Sequence, residues 1–206
     1  SLIHKLNIQN LLFENLMTIR YDNQVAIVTG AGAGLGRSHA LALAARGAKV
    51  VVNDLASKDG VMSEGSLAVV AEIEKAGGEA MANGANVANM QQVQTMVEQA
   101  MEKWGRIDIL VNNAGILRDK SFANMPIEDF KLVVDVHLMG STNCTKAVWN
   151  IMKQQNYGRI VMTTSSSGLY GNFGQANYGA AKMAVVGLML ELIHMSEPTR
   201  SDEKPY

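Results

Sequence analysis

Tyr178 and Lys182 are four residues apart at the start of a stretch, Tyr178 to Met195, that has helical spacing. Residues four apart share one helix face, so a phenol and an ammonium stand side by side. Ser165 ends an apolar run 13 residues before Tyr178. A phenol in water titrates near pH 10 and is a poor base at neutral pH; a neighbouring ammonium favours the phenolate. Such a pair can take a proton from an alcohol, or return one to a carbonyl, while a serine hydroxyl holds the substrate oxygen in line. A strand-end cap for Ser165 and an amphipathic surface pair for Tyr178 and Lys182 are the plainer readings. A serine hydrolase is excluded because no Gly-x-Ser-x-Gly elbow surrounds Ser165.

A second group of residues suits a nucleotide. Thr29-Gly30-Ala31-Gly32-Ala33-Gly34-Leu35-Gly36 follows an apolar run and precedes a helical one. Small residues there let backbone N–H groups at a helix start approach a pyrophosphate. Alone, the cluster is also what a tight turn needs. No Gly-Lys-Ser/Thr follows, so it is not a P-loop. Asp54 lies 18 residues beyond Gly36 at the end of the next apolar run. A carboxylate there can accept from both adenosine ribose hydroxyls and would repel a 2′-phosphate. Ala33 is not basic and Leu55 follows Asp54, so nothing is placed to hold a 2′-phosphate. NAD is expected over NADP.

These residues need elements to position them. Apolar runs at Val25–Thr29, Ala48–Asn53, Glu79–Asn83, Arg106–Val111 and Arg159–Thr164 alternate with helical stretches at Leu35–Arg46, Ser66–Ala76, Met90–Trp104, Ile127–Gln155 and Tyr178–Met195. Gly47, Gly77-Gly78 and Gly105 close three of the helices, and Pro126 opens another. Five alternations imply an α/β fold with a doubly wound parallel sheet and a ligand at the carboxyl ends of its strands. With 206 residues and no internal repeat, one domain is expected.

Composition narrows the class. Eighteen basic against 19 acidic side chains, with 48% hydrophobic residues, exclude a disordered chain and a basic nucleic-acid arm. The single cysteine, Cys144, excludes an internal disulfide framework. His4, His39 and His194 lack ligand spacing, so no metal site is expected. No run long and apolar enough for a secretory signal or a membrane span is evident. Residues 1–16 read as a leader or upstream extension, 17–195 as the dinucleotide-binding and catalytic domain, and 196–206 as a flexible tail. Arg118, Asp119 and Lys120 read as a solvated loop.

Four strings in order resemble the short-chain dehydrogenase/reductase family: Thr29–Gly36, Asn112-Asn113-Ala114-Gly115, Ser165 with Gly168, and Tyr178-Gly179-Ala180-Ala181-Lys182. The resemblance covers residues 24 to about 190. It implies a Rossmann-type fold, with Ser165, Tyr178 and Lys182 as catalytic residues. It further implies cofactor contacts from Gly30, Gly34, Leu35, Gly36, Asp54, Asn86, Val87, Asn113, Ala114, Gly115, Tyr178 and Lys182. Many members carry a relay asparagine in the middle helix, and His137 stands in that place; a core histidine held by the backbone is its plainer reading. Asn86-Val87 replaces the usual Asp-Val near the adenine. The strings Val136–Ser141 and Tyr170–Tyr178, with Val52–Leu55, look like the (3R)-hydroxyacyl-CoA dehydrogenase branch, which includes the units of peroxisomal multifunctional enzyme type 2 and their bacterial relatives. That branch implies a 3-hydroxyacyl-CoA or steroid-like alcohol substrate and fatty acid metabolism. It implies a cytoplasmic setting for a bacterial chain, and a peroxisomal one only within a longer eukaryotic protein.

Family members continue into sixth and seventh strands that the residues after Lys182 do not show, so the fold is expected to be truncated after the helix carrying Lys182. Three expectations follow: an exposed fifth-strand edge, a homodimer through the two long helices, and weakened turnover. Two alternatives stay open: an NAD-binding or interaction module with little catalysis, and a 3-oxoacyl carrier-protein reductase. The latter group usually prefers NADPH, against which Asp54 argues.

Overall fold

The computed structural model describes residues 19–196, with the side chains of 195 and 196 excepted. The leader expected over 1–16 and all but the first residue of the expected tail lie outside the described residues.

Strands β1 (Val25–Thr29), β2 (Lys49–Asn53), β3 (Ala80–Asn83), β4 (Ile109–Asn112) and β5 (Arg159–Met162) form one sheet in the order β3-β2-β1-β4-β5. Every pairing is parallel. Between them run α1 (Gly34–Ala44), α2 (Glu64–Lys75), α3 (Met90–Trp104), α4 (Ile127–Val134) and α5 (Gly140–Gln154). After β5 come the short α6 (Ser166–Tyr170) and the long α7 (Ala176–Ser196). The expected doubly wound sheet is therefore present, with β5 at one edge of it.

Successive strand residues point to opposite faces, and both faces are covered. Ile27, Val51 and Leu110 pack with Val93, Met96, Cys144 and Val148 on one face. Val28, Val50, Val52 and Val111 pack with Val69 and Ile73 on the other. Burial pushes the Cys144 thiol up to about 12, so it is an inert core residue.

Register decides which loops meet. Thr29 pairs with Asn53, so the next residues, Gly30 and Asp54, emerge side by side. Val28 pairs with Val111, which brings Gly30 level with Asn113. Strand order reverses between β1 and β4, so this meeting point is the switch point where open α/β sheets bind ligands.

Several expected boundaries differ. The fourth strand starts at Ile109 and not Arg106, because Arg106 is occupied with the Asp108 carboxylate at 2.7 and 2.8 Å, and that carboxylate accepts from the Val25 N–H. The fifth strand stops at Met162 because Thr163 and Thr164 turn their oxygens to Lys182. The stretch from Ile127 is not one regular helix. A π-helical turn, Asp135–Met139, separates α4 from α5. The last helix begins at Ala176, two residues early.

A further expectation is overturned. Ala176–His194, 19 residues with a mean hydropathy of 1.2, is long and apolar enough to cross a membrane by length and composition. Its buried face carries Asn177 and Lys182 beside Ala181 and Val185, and it packs on α4 and α6. Of the apolar residues that raise its hydropathy, Met183, Leu190 and Ile193 are about half exposed and most of the others half-buried.

Candidate active site

The glycine loop leaves β1 with Gly30 at φ +62° and Gly34 at φ +54°, conformations that favour glycine. A Cβ at Gly36 would collide with the Gly30 carbonyl oxygen and the Asn113 amide, so α1 starts directly on the loop. No side chain caps α1, and no acidic residue stands in its first turn. By contrast, Ser63 caps α2 and Asn89 caps α3. The first N–H groups of α1 are thus left for an external anion. Leu35, expected at this site, is two-thirds exposed on that first turn.

Polar groups brace the loop from below. The Thr29 hydroxyl accepts from the N–H groups of Asn113 and Ala114, both at 3.0 Å, and donates to the Val111 carbonyl. The Asn113 amide donates to the carbonyls of Thr29 (2.9 Å) and Gly30 (3.2 Å). Asn113 therefore spends its side chain on holding the loop. A cleft opens beside it, lined by Gly30, Asp54, Asn86, Val87, Ala114 and Gly115 among others. A buried amide pair shapes its far wall: Asn53 Nδ2 donates to Asn83 Oδ1 (3.1 Å) and to the Ala85 carbonyl (3.0 Å). Asn86 closes its own turn by accepting from the Ala88 N–H, and the Val87 carbonyl accepts from Asn143. An uncapped helix start, an acidic wall and a glycine floor fit the pyrophosphate and adenosine parts of a dinucleotide.

At the other end of the switch point, α6 crosses α7. A Cβ at Gly168 would stand 3.0 Å from the Met183 nitrogen, and one at Gly179 would stand 3.0 Å from the Ser167 carbonyl oxygen. The two glycines let the turn capped by Ser165 pack directly against the turn carrying Tyr178. Ser165 is half-buried, and its hydroxyl accepts from the Ser167 N–H at 3.2 Å, so the cap expected as its plainer role is also present.

Lys182 is buried, with Nζ donating to the Thr163 carbonyl (2.6 Å) and lying 5.6 Å from the Tyr178 ring centre. Burial lowers its pKa to about 8. His137, on the π-helical turn, is also buried. Its ring meets that of Tyr178 edge-on, centroids 5.1 Å apart. Nε2 lies 2.9 Å from the Ile116 carbonyl and 3.1 Å from the Ile116 N–H, while Nδ1 is buried with no partner. Burial holds the imidazole below its ordinary value, the Ile116 backbone bond opposes this, and the Lys182 charge adds to it. The ring is therefore neutral at physiological pH. A Cβ at Gly115 would strike it, which explains that glycine.

A family profile described as short chain dehydrogenase matches residues 24–200. The chain belongs to the short-chain dehydrogenase family. It is 58% identical over 173 residues to peroxisomal multifunctional enzyme type 2 of Drosophila melanogaster, covering 82% of this chain and 28% of that enzyme. It is 52% identical over 164 residues to the 3-oxoacyl-[acyl-carrier-protein] reductase of a Synechocystis strain, covering 80% of this chain and 64% of that protein. The crystal structure of a short chain dehydrogenase from Mycobacterium avium superposes with a TM-score of 0.77 at 46% identity, over 82% of this chain and 62% of that one. The chain thus spans less than two thirds of the length of each of these relatives.

As a short-chain dehydrogenase, the chain brings Tyr178, Lys182 and His137 together, and sets the helix that Ser165 caps against them. Its glycine loop, Asp54, Asn86, Val87, Ala114 and Gly115 gather at the other end. Among the described residues, no three His, Cys, Asp or Glu side chains cluster as a metal site would need. Two contributors escape the sequence reading. Thr29 braces the loop, and its place just before the first glycine was the available signal. Asn177, fully buried, donates to the Arg118 carbonyl (3.0 Å) and accepts from the Tyr178 N–H (2.7 Å). Gln175 bonds Asp119 and the Lys120 N–H bonds the Gly174 carbonyl. Residues 118–120 are exposed, as the expected solvated loop, and are also clasped to the segment entering α7.

Proposed function

We propose that the chain transfers hydride between NAD and a secondary alcohol or ketone, acting on a 3-hydroxyacyl-CoA or steroid-like substrate. The observation that carries this reading is the meeting of Tyr178, Lys182 and neutral His137, whose ring lies against Gly115 and Ile116 of the cleft wall. The N–H groups of Gly34, Leu35 and Gly36 would hold the pyrophosphate. Asp54 would accept from the adenosine ribose, and Lys182 from its buried post would reach the second ribose. When bound, the nicotinamide supplies the hydride acceptor or donor.

The chain's own residues manage the proton. Tyr178 as phenolate takes the alcohol proton during oxidation and returns it during reduction. Lys182 stabilises that phenolate while charged. The Ser165 hydroxyl donates to the substrate oxygen. With its proton on Nε2, facing the Ile116 carbonyl, His137 would offer Nδ1 as an acceptor for a proton path through Lys182. Exposed Met183 and Leu190 on α7 support association of two copies through the long helices.

Formation of NADH from a (3R)-3-hydroxyacyl-CoA and NAD, followed at the NADH absorbance band, tests the reading. Turnover is expected and should be lost in Tyr178→Phe. NAD binding without turnover by the unaltered chain would leave a binding module instead. The Synechocystis relative supports a second reading, a 3-oxoacyl carrier-protein reductase. Preference for NADPH in a cofactor titration would select it.

A further inference from the structure

Asp54 does not stand alone at the cleft. Its Oδ1 accepts from the Leu55 N–H at 3.1 Å, and its Oδ2 accepts from the Ser63 hydroxyl at 3.1 Å. Ser63 is the N-cap of α2, where its oxygen accepts from the Ser66 N–H at 3.1 Å. Its one hydroxyl proton has two acceptors in reach: Asp54 Oδ2, and Ser66 Oγ at 3.0 Å. The carboxylate is the stronger acceptor, because a charge-assisted hydrogen bond outweighs a neutral one. Ser66 meanwhile sends its own proton to the Ser63 carbonyl at 2.9 Å. The network thus has a consistent direction, from Ser66 through Ser63 to Asp54.

The same turn of α2 rests on the glycine loop. A Cβ at Gly65 would stand 2.6 Å from the Gly32 carbonyl oxygen, and a Cβ at Gly32 would collide with Asp54 Oδ2. Glycine loop, carboxylate and helix cap are one packed unit. Carboxylate rotation is soft when no partner holds it, because terminal sp³–sp² torsions have broad wells. Leu55 and Ser63 each take one oxygen, and the remaining lone pairs are those available on the cleft side.

We propose that Ser63 is a specificity-determining positioning residue. By holding the Asp54 carboxylate, it sets the preference of this site for a free adenosine ribose diol over one bearing a 2′-phosphate. The proposal rests on the NAD reading above. Without the Ser63 proton the carboxylate turns, so the diol loses one of its two acceptors and a 2′-phosphate meets the negative charge at a greater distance. Both changes reduce discrimination.

The test is calorimetric binding of NAD and NADP to the unaltered chain and to Ser63→Gly, Ser63→Thr and Ser63→Ala. Glycine is well tolerated at an N-cap, so Ser63→Gly removes the donor while α2 keeps its start. The ratio of the two dissociation constants is expected to fall about tenfold in Ser63→Gly and Ser63→Ala, the loss of one hydrogen bond to a charged group. In Ser63→Thr, which keeps the hydroxyl, the ratio stays near that of the unaltered chain. In an Asp54→Ala background, Ser63→Gly should leave the ratio unchanged, because Ser63 acts through Asp54. An unaltered ratio in Ser63→Gly, or an equal fall in the Asp54→Ala background, overturns the role of Ser63. An unaltered chain with no preference for NAD overturns the NAD reading itself, which the variants cannot do.

Discussion

Strands β1, β2 and β4 are buried on both faces, whereas β5 alternates exposed and half-buried residues, and α7 leaves Met183 and Leu190 about half exposed. The cofactor-side residues sit in the first region. The proton-handling residues Tyr178 and Lys182 sit on α7, in the second. In the first region each functional group is held by neighbours within the same packed body: the loop by Thr29 and Asn113, Asp54 by Leu55 and Ser63. In the second, the geometry hangs on two helix crossings and a clasp of hydrogen bonds from residues 118–120 to 174–177. Dinucleotide binding and turnover are therefore expected to respond separately to substitution.

The largest separation is expected from Tyr178→Phe. Loss of the proton-transfer group should lower kcat by about 10³-fold, while calorimetry shows NAD affinity within twofold of the unaltered chain. Equal loss of both would erase the contrast between the regions. Asn177→Ala cuts the clasp beside Tyr178 without touching the cleft. A misplacement of about 1 Å costs about 10²-fold in rate, so kcat should fall by that order with KM for NAD unchanged. Gly36→Ala works on the other region. Its methyl group forces the Gly30 carbonyl aside, and NAD affinity should weaken about tenfold or more by calorimetry, with the loss in KM and not kcat.

In stability, Lys182→Met gives a small change of opposite sign. With a pKa of about 8 against the ordinary 10.5, the folded chain binds fewer protons than the unfolded chain between those values. The ammonium thus costs stability in full below pH 8, and the cost fades as pH rises toward 10.5. At neutral pH it amounts to about 3 kcal/mol, less about 2 kcal/mol for the lost charge-assisted Thr163 bond. The variant should be inactive yet melt a few degrees higher at pH 7 by calorimetry, with the gain shrinking between pH 8 and 10.5. A lower melting temperature at pH 7 would mean that the buried ammonium is a net support of α7.

What was legible in the residues was what depends on neighbours in sequence. Gly105, in the left-handed conformation at φ +74°, closes α3 where its position after Trp104 predicted. Glycine spacing, the Tyr178–Lys182 interval and the strand alternation are of the same kind. The doubly wound parallel sheet followed from general rules of chain connection, whereas its strand order is seen only in the structure. Contacts set by tertiary register were not legible: Asn177 with Arg118, Thr29 with Asn113 and Ser63 with Asp54 join segments whose proximity no local pattern announces. The π-helical turn was hidden for another reason. One extra residue in a helix leaves the apolar pattern on either side intact and changes only its phase, so Ile127–Gln155 read as continuous.

The close approach of Gly115 to the His137 ring links two positions 22 apart in the chain into one unit of substitution. A methyl group at 115 has nowhere to go while an imidazole occupies 137, but the shorter side chain of asparagine would open that space. Gly115→Ala alone should therefore be costly, and Gly115→Ala with His137→Asn should cost less than the sum of the two, measured as a non-additive melting temperature in a double-mutant cycle. A descendant of this sequence could exchange both residues together, whereas a path that begins with alanine at 115 passes through a damaged intermediate.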